Sequence, residues 1–391
     1  MSNQDERVAL CALNRIFGYH PRLALELIAH CGSAREVFSG GPKEVPGHPE
    51  LASQLVPEAL DWACAELSRT EAGGFRFLGL HDEDYPVALK ECPDPPLGLY
   101  LNGSSSATEI FGLRPMIAVV GTRDLSPYGK TWCRKLVEGL AASRVQPCIV
   151  SGLALGTDGV AHQTALSCGL PTVGVMATGI ERVYPWQHEK LAMEIVQTPG
   201  SGLITDYPIG SSPVALNFMR RNRIIAGLVL AVIVVESKTK GGSLMTARYA
   251  VEYGRDVYAL PGRADDVRSA GCNSLIRTQM AEIITTAEDL AARLGLGAPA
   301  RGAGASWRHS APVSQEGDGL ARALRQKYGE PSLPLDVGLA LRESRGATIE
   351  ELSASLQKPF ADVLSAVGLL EADGYLTTDL LRRCSLSPPW D

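Results

Sequence analysis

The chain has 391 residues, 45% of them hydrophobic, and a formal net charge of -6. This length allows two or three domains with ordinary cores. The acidic balance argues against binding of duplex DNA driven by net charge alone, so any contact with nucleic acid must be local. Nine cysteines without a Cys-x-x-Cys pair indicate reduced thiols in a cytoplasmic protein. The seven histidines show no ligand spacing, so we predict no metal site.

No membrane segment is predicted. The longest apolar run, residues 224–235, is interrupted by Gly227 and is shorter than the ~20 residues that a membrane helix needs. The first seven residues are polar and acidic, which is not the pattern of a signal peptide.

Residues 1–72 are predicted to form a small helical domain, because apolar residues such as Val8, Leu13 and Ile16 recur at helical spacing. A helix-glycine-helix unit around Gly18 resembles the small modules of the SAM or helix-hairpin-helix type that accompany nucleic-acid enzymes. A purely structural cap is the favoured role for it.

Residues 73–297 are predicted to form an extended Rossmann-like domain. Its first part, 75–101, is rich in proline, which excludes long helices and favours edge or connecting structure. Apolar strands then alternate with segments of helical periodicity, which is typical of a doubly wound, mostly parallel sheet in an α/β fold. The predicted strands are 116–120, 148–150, 172–176, 203–204, 231–235 and 257–259.

The C-terminal part is predicted to consist of a linker and a winged-helix domain. Residues 298–322 begin with a stretch rich in glycine, alanine and serine and are predicted to be a flexible linker. Within 323–391, three short helices precede a turn and a strand, which is the order of a winged helix-turn-helix. The third helix has acidic residues along it and one base nearby, Lys358. Contact with protein is therefore at least as well favoured as contact with DNA. The predicted helices are 337–341, 348–356 and 360–372.

The loop after the first parallel strand reads Gly121-Thr122-Arg123. Ligands of open parallel sheets bind beyond the carboxyl ends of the strands. No G-x-G-x-x-G is present there, so NAD is disfavoured and no cofactor is predicted. We expect Arg123 to lie over a helix N-terminus and to hold a phosphate there, with an ordinary surface arginine as the equally favoured alternative.

The next loop carries Asp158 and His162, four positions apart. A helix cap and a core histidine are the favoured interpretations, because no serine or cysteine nucleophile accompanies them.

The loop after residues 231–235 gives the clearest signal. Lys240, Gly241, Gly242 and Ser243 precede a helix, and together they offer free amides, a hydroxyl and an ammonium group for an anion. A plain strand-to-helix turn is the alternative. Arg220, Arg221 and Arg223 precede the same strand, and residues 218–255 hold seven basic residues against two acidic ones. This local excess of positive charge predicts an anion site.

Several phosphate sites on adjacent strand ends suit a linear polyanion, and single-stranded nucleic acid fits this description. Phe218, Tyr128 and Tyr184 are candidate stacking partners for bases, although each could equally belong to the core.

The ordered motifs of residues 73–290 resemble the family of the DNA-processing protein DprA, also called Smf. The segments that carry the resemblance are Gly-Thr-Arg at 121–123, Ser-Gly-Leu-Ala-Leu-Gly-Thr-Asp at 151–158, Tyr-Pro at 184–185, Arg-Asn-Arg-Ile-Ile-Ala-Gly-Leu at 221–228, Leu-Met-Thr-Ala-Arg at 244–248, Gly-Arg at 254–255, Leu-Pro-Gly at 260–262 and Gly-Cys-Asn-Ser-Leu-Ile at 271–276.

The resemblance implies a cytoplasmic bacterial protein that binds incoming single-stranded DNA during natural transformation, shields it and loads the recombinase RecA onto it. It also implies a homodimer formed through the Rossmann domain, and no catalysis. Carried over by position, the DNA contacts would be Gly121, Thr122, Arg123, Arg220, Arg221, Arg223, Lys240, Gly241, Gly242 and Ser243. Leu155 and Gly241 depart from the pattern, since the family has an arginine and commonly a serine at these positions.

Two other functions remain open. One is a Rossmann-like nucleoside-monophosphate phosphoribohydrolase, for which Glu236 or Asp158 would have to supply the catalytic carboxylate. A Pro-Gly-Gly loop leading to a suitably spaced glutamate is not present, which disfavours this enzyme. The other is a regulator or scaffold that acts through the two terminal modules.

Overall fold

The computed structural model describes residues 3–40, 45, 47–297, 319–344, 347–378 and 383–386. They belong to two compact units, one within Met1–Gly304 and the other within Ala305–Asp391. The predicted linker lies outside the described residues as far as position 318.

The described residues among the first 72 form helices joined by short connections. Three of the helices have proline in their first turn, a position where the missing N–H costs nothing. Leu10 and Leu13 of the first helix are buried in the same apolar cluster as Leu99 of the sheet, so these helices pack against the sheet. The helices are α1 (Asn3–Ile16), α2 (Pro21–Cys31), α3 (Ala34–Gly40), α4 (Pro49–Ala52) and α5 (Pro57–Ala72).

A nine-stranded sheet forms the centre of the first unit, in the order β1-β2-β6-β5-β4-β3-β7-β8-β9. The strands β3 to β9 all run parallel to one another. Strands β1 and β2 form an antiparallel edge beside β6. The predicted α/β class, parallel strands and proline-rich edge are thus confirmed. The strands are β1 (Arg76–Gly79), β2 (Gly98–Asn102), β3 (Met116–Val120), β4 (Cys148–Ser151), β5 (Thr172–Val175), β6 (Gly202–Thr205), β7 (Ala231–Val234), β8 (Asp256–Ala259) and β9 (Glu282–Ile283).

Helices cover both faces of this sheet. Successive side chains of a strand point to opposite faces. Accordingly, Ala118 and Val120 belong to one apolar cluster, and Ile117 and Val119 belong to another. The helices of this region are α6 (Val87–Lys90), α7 (Ala107–Phe111), α8 (Pro127–Ala141), α9 (Thr157–Ser167), α10 (Glu189–Gln197), α11 (Ala215–Leu228), α12 (Ser243–Glu252), α13 (Ala270–Arg277) and α14 (Ala287–Arg293), with a single 3-10 turn at Trp186–His188.

The N-terminal helices also contact α11. The Asn14 side-chain amide donates a hydrogen bond to the carbonyl of Asp206 at 2.8 Å. The Tyr19 hydroxyl donates to the Asn217 side chain at 2.7 Å, and the Arg220 guanidinium lies 4.8 Å from the centre of the Tyr19 ring. The two contacts of Tyr19 therefore hold the outer face of α11 against this helical region, and Asn14 binds the segment that precedes α11.

The described residues of the second unit form four helices and a three-stranded antiparallel sheet in the order β10-β12-β11. The three predicted helices are present, and α17 begins with a capping box between Thr348 and Glu351. An additional helix, α15, begins inside the segment predicted as linker. The winged-helix assignment of 323–391 stays a prediction. The elements are α15 (Gly319–Tyr328), α16 (Leu333–Ser344), β10 (Ala347–Thr348), α17 (Ile349–Leu356), α18 (Phe360–Ala372), β11 (Leu376–Thr378) and β12 (Arg383–Leu386).

In the part of the chain that the structure describes, no helix is long and apolar enough to cross a membrane.

Candidate nucleic-acid interface

A cleft of about 880 Å³ opens beyond the carboxyl ends of β3, β4 and β7. Strand β3 pairs in parallel with both β4 and β7, so the direction of winding reverses beside it. The loops after these strands and one face of α11 line the cleft. It therefore lies at the topological switch point, where open α/β sheets bind their ligands.

The loop after β3 brings Gly121, Thr122 and Arg123 to one wall of the cleft. A Cβ at Gly121 would lie 2.4 Å from Thr157 Oγ1, so glycine allows the loop to approach the start of α9. The Thr122 carbonyl accepts hydrogen bonds from the Thr157 N–H at 3.1 Å and from its hydroxyl at 3.2 Å. The exposed Arg123 guanidinium lies 5.1 Å from the centre of the Phe218 ring and makes no ion pair with any described residue. It therefore presents an unpaired positive charge to the cleft.

The N-terminus of the following helix, α8, is already occupied by a carboxylate. Glu236, which is fully buried, accepts hydrogen bonds from the Ser126 N–H at 3.0 Å and from the Ser126 hydroxyl at 2.5 Å. The Ser126 hydroxyl in turn accepts from the Gly129 N–H at 3.0 Å. The start of α8 therefore already has an anionic partner in Glu236, so these helix amides are not free for a phosphate, and phosphate binding by Arg123 itself stays a prediction.

The loop after β7 forms the opposite wall with Lys238, Lys240, Gly241 and Gly242. Both lysines are exposed, and neither is in an ion pair within the described ranges. The Gly241 N–H donates to the Lys238 carbonyl at 2.9 Å, which closes a tight turn before α12. No atom lies within 4 Å of the position that a Cβ at Gly242 would take. The backbone is thus open to a ligand at this point.

Ser243 contributes to this wall differently from the prediction. Its hydroxyl donates to the Ser237 hydroxyl at 2.9 Å, and the Ser237 hydroxyl donates to the Lys238 carbonyl at 3.1 Å. These internal bonds hold the turn in shape. As the first residue of α12, Ser243 has a backbone N–H without an intrahelical acceptor, so its amide rather than its hydroxyl is available to an anion.

Arg221 and Asp158 form the floor of the cleft. The Arg221 guanidinium donates to the Val175 carbonyl at 2.5 Å, and burial lowers its pKa to about 10. The Asp158 carboxylate accepts hydrogen bonds from the Gly152 and Ala154 N–H groups at 3.1 and 3.2 Å. Burial raises the pKa of Asp158, and the neighbouring Arg221 opposes this shift. Asp158 therefore holds the loop after β4 in place and lies beside a buried cation.

The other two arginines of the cluster do not line the cleft. The Asp206 carboxylate accepts a hydrogen bond from Arg220 at 2.7 Å and from Arg223 at 2.9 Å. All three arginines lie on α11, where residues three apart share a face and adjacent residues do not. The positive charge of this stretch is thus divided. Arg220 and Arg223 are paired with Asp206 inside the protein, whereas Arg221 lines the cleft. In the structure Arg220 and Arg223 therefore help to fix α11 in place.

Aromatic rings line the cleft beside the cations. The Tyr184 and Phe218 rings are 5.5 Å apart at 60°, and both line the cleft. Tyr184 is 45% exposed, so one side of this pair can accept a stacked base. Tyr128 is placed elsewhere, because its hydroxyl donates to the Pro261 carbonyl at 2.8 Å and its ring packs near Trp132.

His162 lies below the cleft in the core. Its Nδ1 is 2.7 Å from the Thr172 hydroxyl, which itself donates to the Ile149 carbonyl at 2.7 Å. Burial lowers the pKa of His162 to about 3, so the ring is neutral. The favoured interpretation as a core histidine agrees with these contacts.

Sequence reasoning did not single out Asn222 or Lys238. The Asn222 amide lines the cleft and donates to the Gly242 carbonyl at 3.2 Å. Helical periodicity across Phe218, Asn222 and Ile225 would have placed Asn222 on the cleft face of α11.

The sequence model of the DNA recombination-mediator protein A family matches residues 76–295. The protein Smf of Escherichia coli strain K12 is 41% identical over 215 residues, which is 55% of this chain and 55% of that protein. Smf of Synechocystis is 42% identical over 221 residues, 56% of this chain and 54% of that protein. The match therefore spans about half the length of these two relatives. DNA processing protein DprA of Streptococcus pneumoniae is 38% identical over 230 residues, 58% of this chain and 77% of that protein.

Solved structures show the same similarity. The X-ray structure of DNA processing protein A from Streptococcus pneumoniae superposes with a TM-score of 0.59 at 29% identity, covering 75% of this chain and 98% of that one. DNA processing protein A from Helicobacter pylori, whose structure concerns its single-stranded DNA binding mode, gives a TM-score of 0.50 at 30% identity, covering 56% of this chain and 95% of that one. The chain therefore belongs to the DNA recombination-mediator protein A family, which includes the DNA-processing proteins DprA and Smf.

Proposed function

We propose that the protein binds single-stranded DNA in the cleft, shields it and loads the recombinase RecA onto it during natural transformation and homologous recombination. The observation that supports this proposal most directly is a combination of charge and aromatic surface in one cleft. Unpaired cations lie on both walls, with Arg123 opposite Lys238 and Lys240. The rings of Tyr184 and Phe218 line the same cleft. Phosphates and unstacked bases together need this pairing of charge and aromatic surface.

The proposed contacts divide by role. Arg123 and Lys240 bind phosphate through side-chain charge, and the turn before α12 binds it through backbone amides. Arg221 adds a buried positive charge beneath the ligand. Arg220 and Arg223 act through Asp206 by holding α11 in position. The full proposed set is Gly121, Thr122, Arg123, Arg220, Arg221, Arg223, Lys240, Gly241, Gly242 and Ser243.

We further propose a homodimer formed through the Rossmann domain, acting in the cytoplasm. Support for the compartment comes from the sequence, because its nine cysteines include no Cys-x-x-Cys pair, as expected where thiols stay reduced. A dimer would align two clefts along one strand and would raise the effective concentration of the second site.

The phosphoribohydrolase alternative is not favoured. Of its two candidate carboxylates, Glu236 caps α8, and Asp158 accepts two backbone hydrogen bonds beside Arg221. A catalytic carboxylate needs an oxygen free to reach the sugar or a water molecule. Both oxygens of Glu236 are held by Ser126, and Asp158 uses one oxygen to hold the loop after β4.

Fluorescence anisotropy tests the DNA proposal. A labelled single strand of about 30 nucleotides is titrated with protein at two salt concentrations, with matched duplex as competitor. We expect tight binding that weakens with salt and that duplex competes for poorly. Absence of binding at low salt would refute the proposal, and release of free base from nucleoside monophosphates would then support the enzyme instead.

The loading step needs a separate experiment. RecA is mixed with a strand already coated by single-strand-binding protein, and its DNA-dependent ATP hydrolysis is followed with and without the protein. We expect the lag before hydrolysis to shorten. An unchanged lag, with DNA binding intact, would restrict the proposal to binding and protection.

A further inference from the structure

A second depression, of about 330 Å³, adjoins the cleft at Arg123 and Asp124, which line both spaces. Beyond them it is lined by Lys130 of α8, Gln163 of α9 and His188. We call the depression defined by these five residues the side groove. Since Arg123 borders both spaces, a chain of phosphates held at Arg123 has a path from the cleft into the side groove.

The charge of the side groove is positive. Lys130 and Arg123 are exposed, and neither is in an ion pair with any part of the chain that the structure describes. The one carboxylate in the lining, Asp124, is paired with Arg268 at 3.2 Å. Two unpaired cations therefore face an opening whose only acidic group is already compensated, which favours an anionic ligand.

The wall that contains His188 is held firmly in place. The His188 Nδ1–H donates to the Leu153 carbonyl at 2.8 Å. A Cβ at Gly159 would lie 2.7 Å from His188 Cε1, so the ring lies directly against the first turns of α9. Tyr184, four residues earlier, lines the main cleft, and the segment between them therefore links the walls of the two spaces.

Trp186 lies in the middle of this segment and is 75% exposed. An indole that makes so little contact with its own protein contributes little to folding, because its apolar surface stays in water. A large aromatic face on a fixed backbone, beside a positive groove, is what base stacking requires. Trp186 lines neither space itself, but its segment connects Tyr184, which lines the cleft, to His188, which lines the side groove.

We propose that the side groove holds the continuation of the same single strand as it leaves the cleft, with Lys130 binding a phosphate and Trp186 stacking on a base. This proposal rests on the proposed function, and it adds a second subsite that sets the length of strand bound. Arg123 would then bind the phosphate between the two subsites.

The test compares thymidine oligonucleotides from about 4 to about 16 nucleotides. Affinities are measured by anisotropy for the parent chain and for Lys130→Ala, Trp186→Ala and Lys240→Ala. The matched control is Lys135→Ala, an exposed lysine on the same helix, α8, that lines neither space. Because Lys130 and Trp186 are exposed, their replacement should leave the melting temperature unchanged.

For the parent chain we expect affinity to rise with length and then level off. Lys130→Ala should weaken the longest oligonucleotide about five-fold and Trp186→Ala about ten-fold, with the shortest one unaffected. Lys240→Ala should weaken every length, and Lys135→Ala none. If Lys130→Ala and Trp186→Ala lose the same affinity at every length, or lose none, the proposal of a second subsite in the side groove is overturned. The proposal of DNA binding in the cleft would not be affected by that result. If Lys240→Ala binds all lengths normally, the cleft itself is wrong.

Discussion

The Arg220 guanidinium donates a hydrogen bond to the carboxylate of Asp206 at 2.7 Å, and the Asp206 side chain is fully buried. The same oxygen accepts from Arg223 at 2.9 Å. One buried carboxylate thus compensates two arginines that the sequence had suggested as DNA ligands. The position of α11, and with it one wall of the cleft, depends on this cluster.

Removing the shared carboxylate should destabilise the fold. Asp206→Ala leaves Arg220 and Arg223 without their acceptor in a buried setting, and we expect a loss of about 3 to 5 kcal/mol in the free energy of unfolding. Urea denaturation measures it. The control is Asp265→Ala, whose partner Arg263 is mostly exposed, where the loss should stay below about 1 kcal/mol. Similar small losses in both variants would contradict a structural role for Asp206.

Replacing a free cation of the cleft should weaken DNA binding without affecting stability. Arg123→Ala and Lys240→Ala each remove one charged contact, which we expect to lower affinity for a single strand about ten-fold. Each should also reduce the slope of log affinity against log salt by about 0.7. Arg277→Ala, an exposed arginine at the end of α13 that borders neither the cleft nor the side groove, is the control. A double variant that binds like the parent would exclude this cleft as the DNA site.

The packing of Arg221, the buried arginine of the cleft, requires a glycine at position 152. A Cβ at Gly152 would lie 2.1 Å from the Arg221 guanidinium, which is buried at the floor of the cleft. Gly152→Ala should therefore displace Arg221 and lower both the melting temperature and DNA affinity. Gly242→Ala is the matched control for stability, because a Cβ there meets no atom within 4 Å. If both variants melt like the parent, the packing of Arg221 is looser than described.

The buried histidine should make stability depend on pH. The pKa of His162 is lowered from 6.5 to about 3, chiefly by burial and also by the nearby His188 and Arg221. Below about pH 6.5 the unfolded chain binds a proton at this residue that the folded protein does not, so stability falls as the pH falls. We expect a loss of about 2 kcal/mol between pH 7 and pH 5 from this residue.

His162→Asn isolates this contribution, because its amide can still donate to Thr172 in place of the imidazole Nδ1. Denaturation curves at several pH values should show a flatter profile for this variant. His30→Asn, at an exposed position, should retain the parent profile. An unchanged slope in His162→Asn would show that folding does not lower the pKa of His162.

Much of the fold could be predicted from the sequence because its signals are local. Apolar runs such as 116–120 and 231–235 identify buried parallel strands, and their order places the cleft at the carboxyl ends. Arg123 and Lys240 could be assigned to the walls of the cleft because each lies in the loop that follows one of those strands.

What could not be predicted depends on distant pairings. In the sequence residues 218–228 form one cationic stretch, but in a helix adjacent residues point about 100° apart, which separates Arg221 from Arg220 and Arg223. Glu236 binds the N-terminus of α8 although it is 110 positions away in the sequence, and no local sequence pattern predicts that contact. The sequence therefore indicated a cluster of positive charge near the cleft but not which of these charges are paired inside the protein.

The attachment of the N-terminal helices to α11 affects how this protein can be studied by dissection. Asn14 binds the Asp206 backbone, and Tyr19 contacts both Asn217 and Arg220. Deleting residues 1–72 would expose the outer side of the helix whose inner side lines the cleft. A shortened chain that bound DNA poorly would then report a loosened wall and not a lost ligand. Single replacements such as Tyr19→Phe, which keep the ring and remove the hydroxyl, separate these two effects.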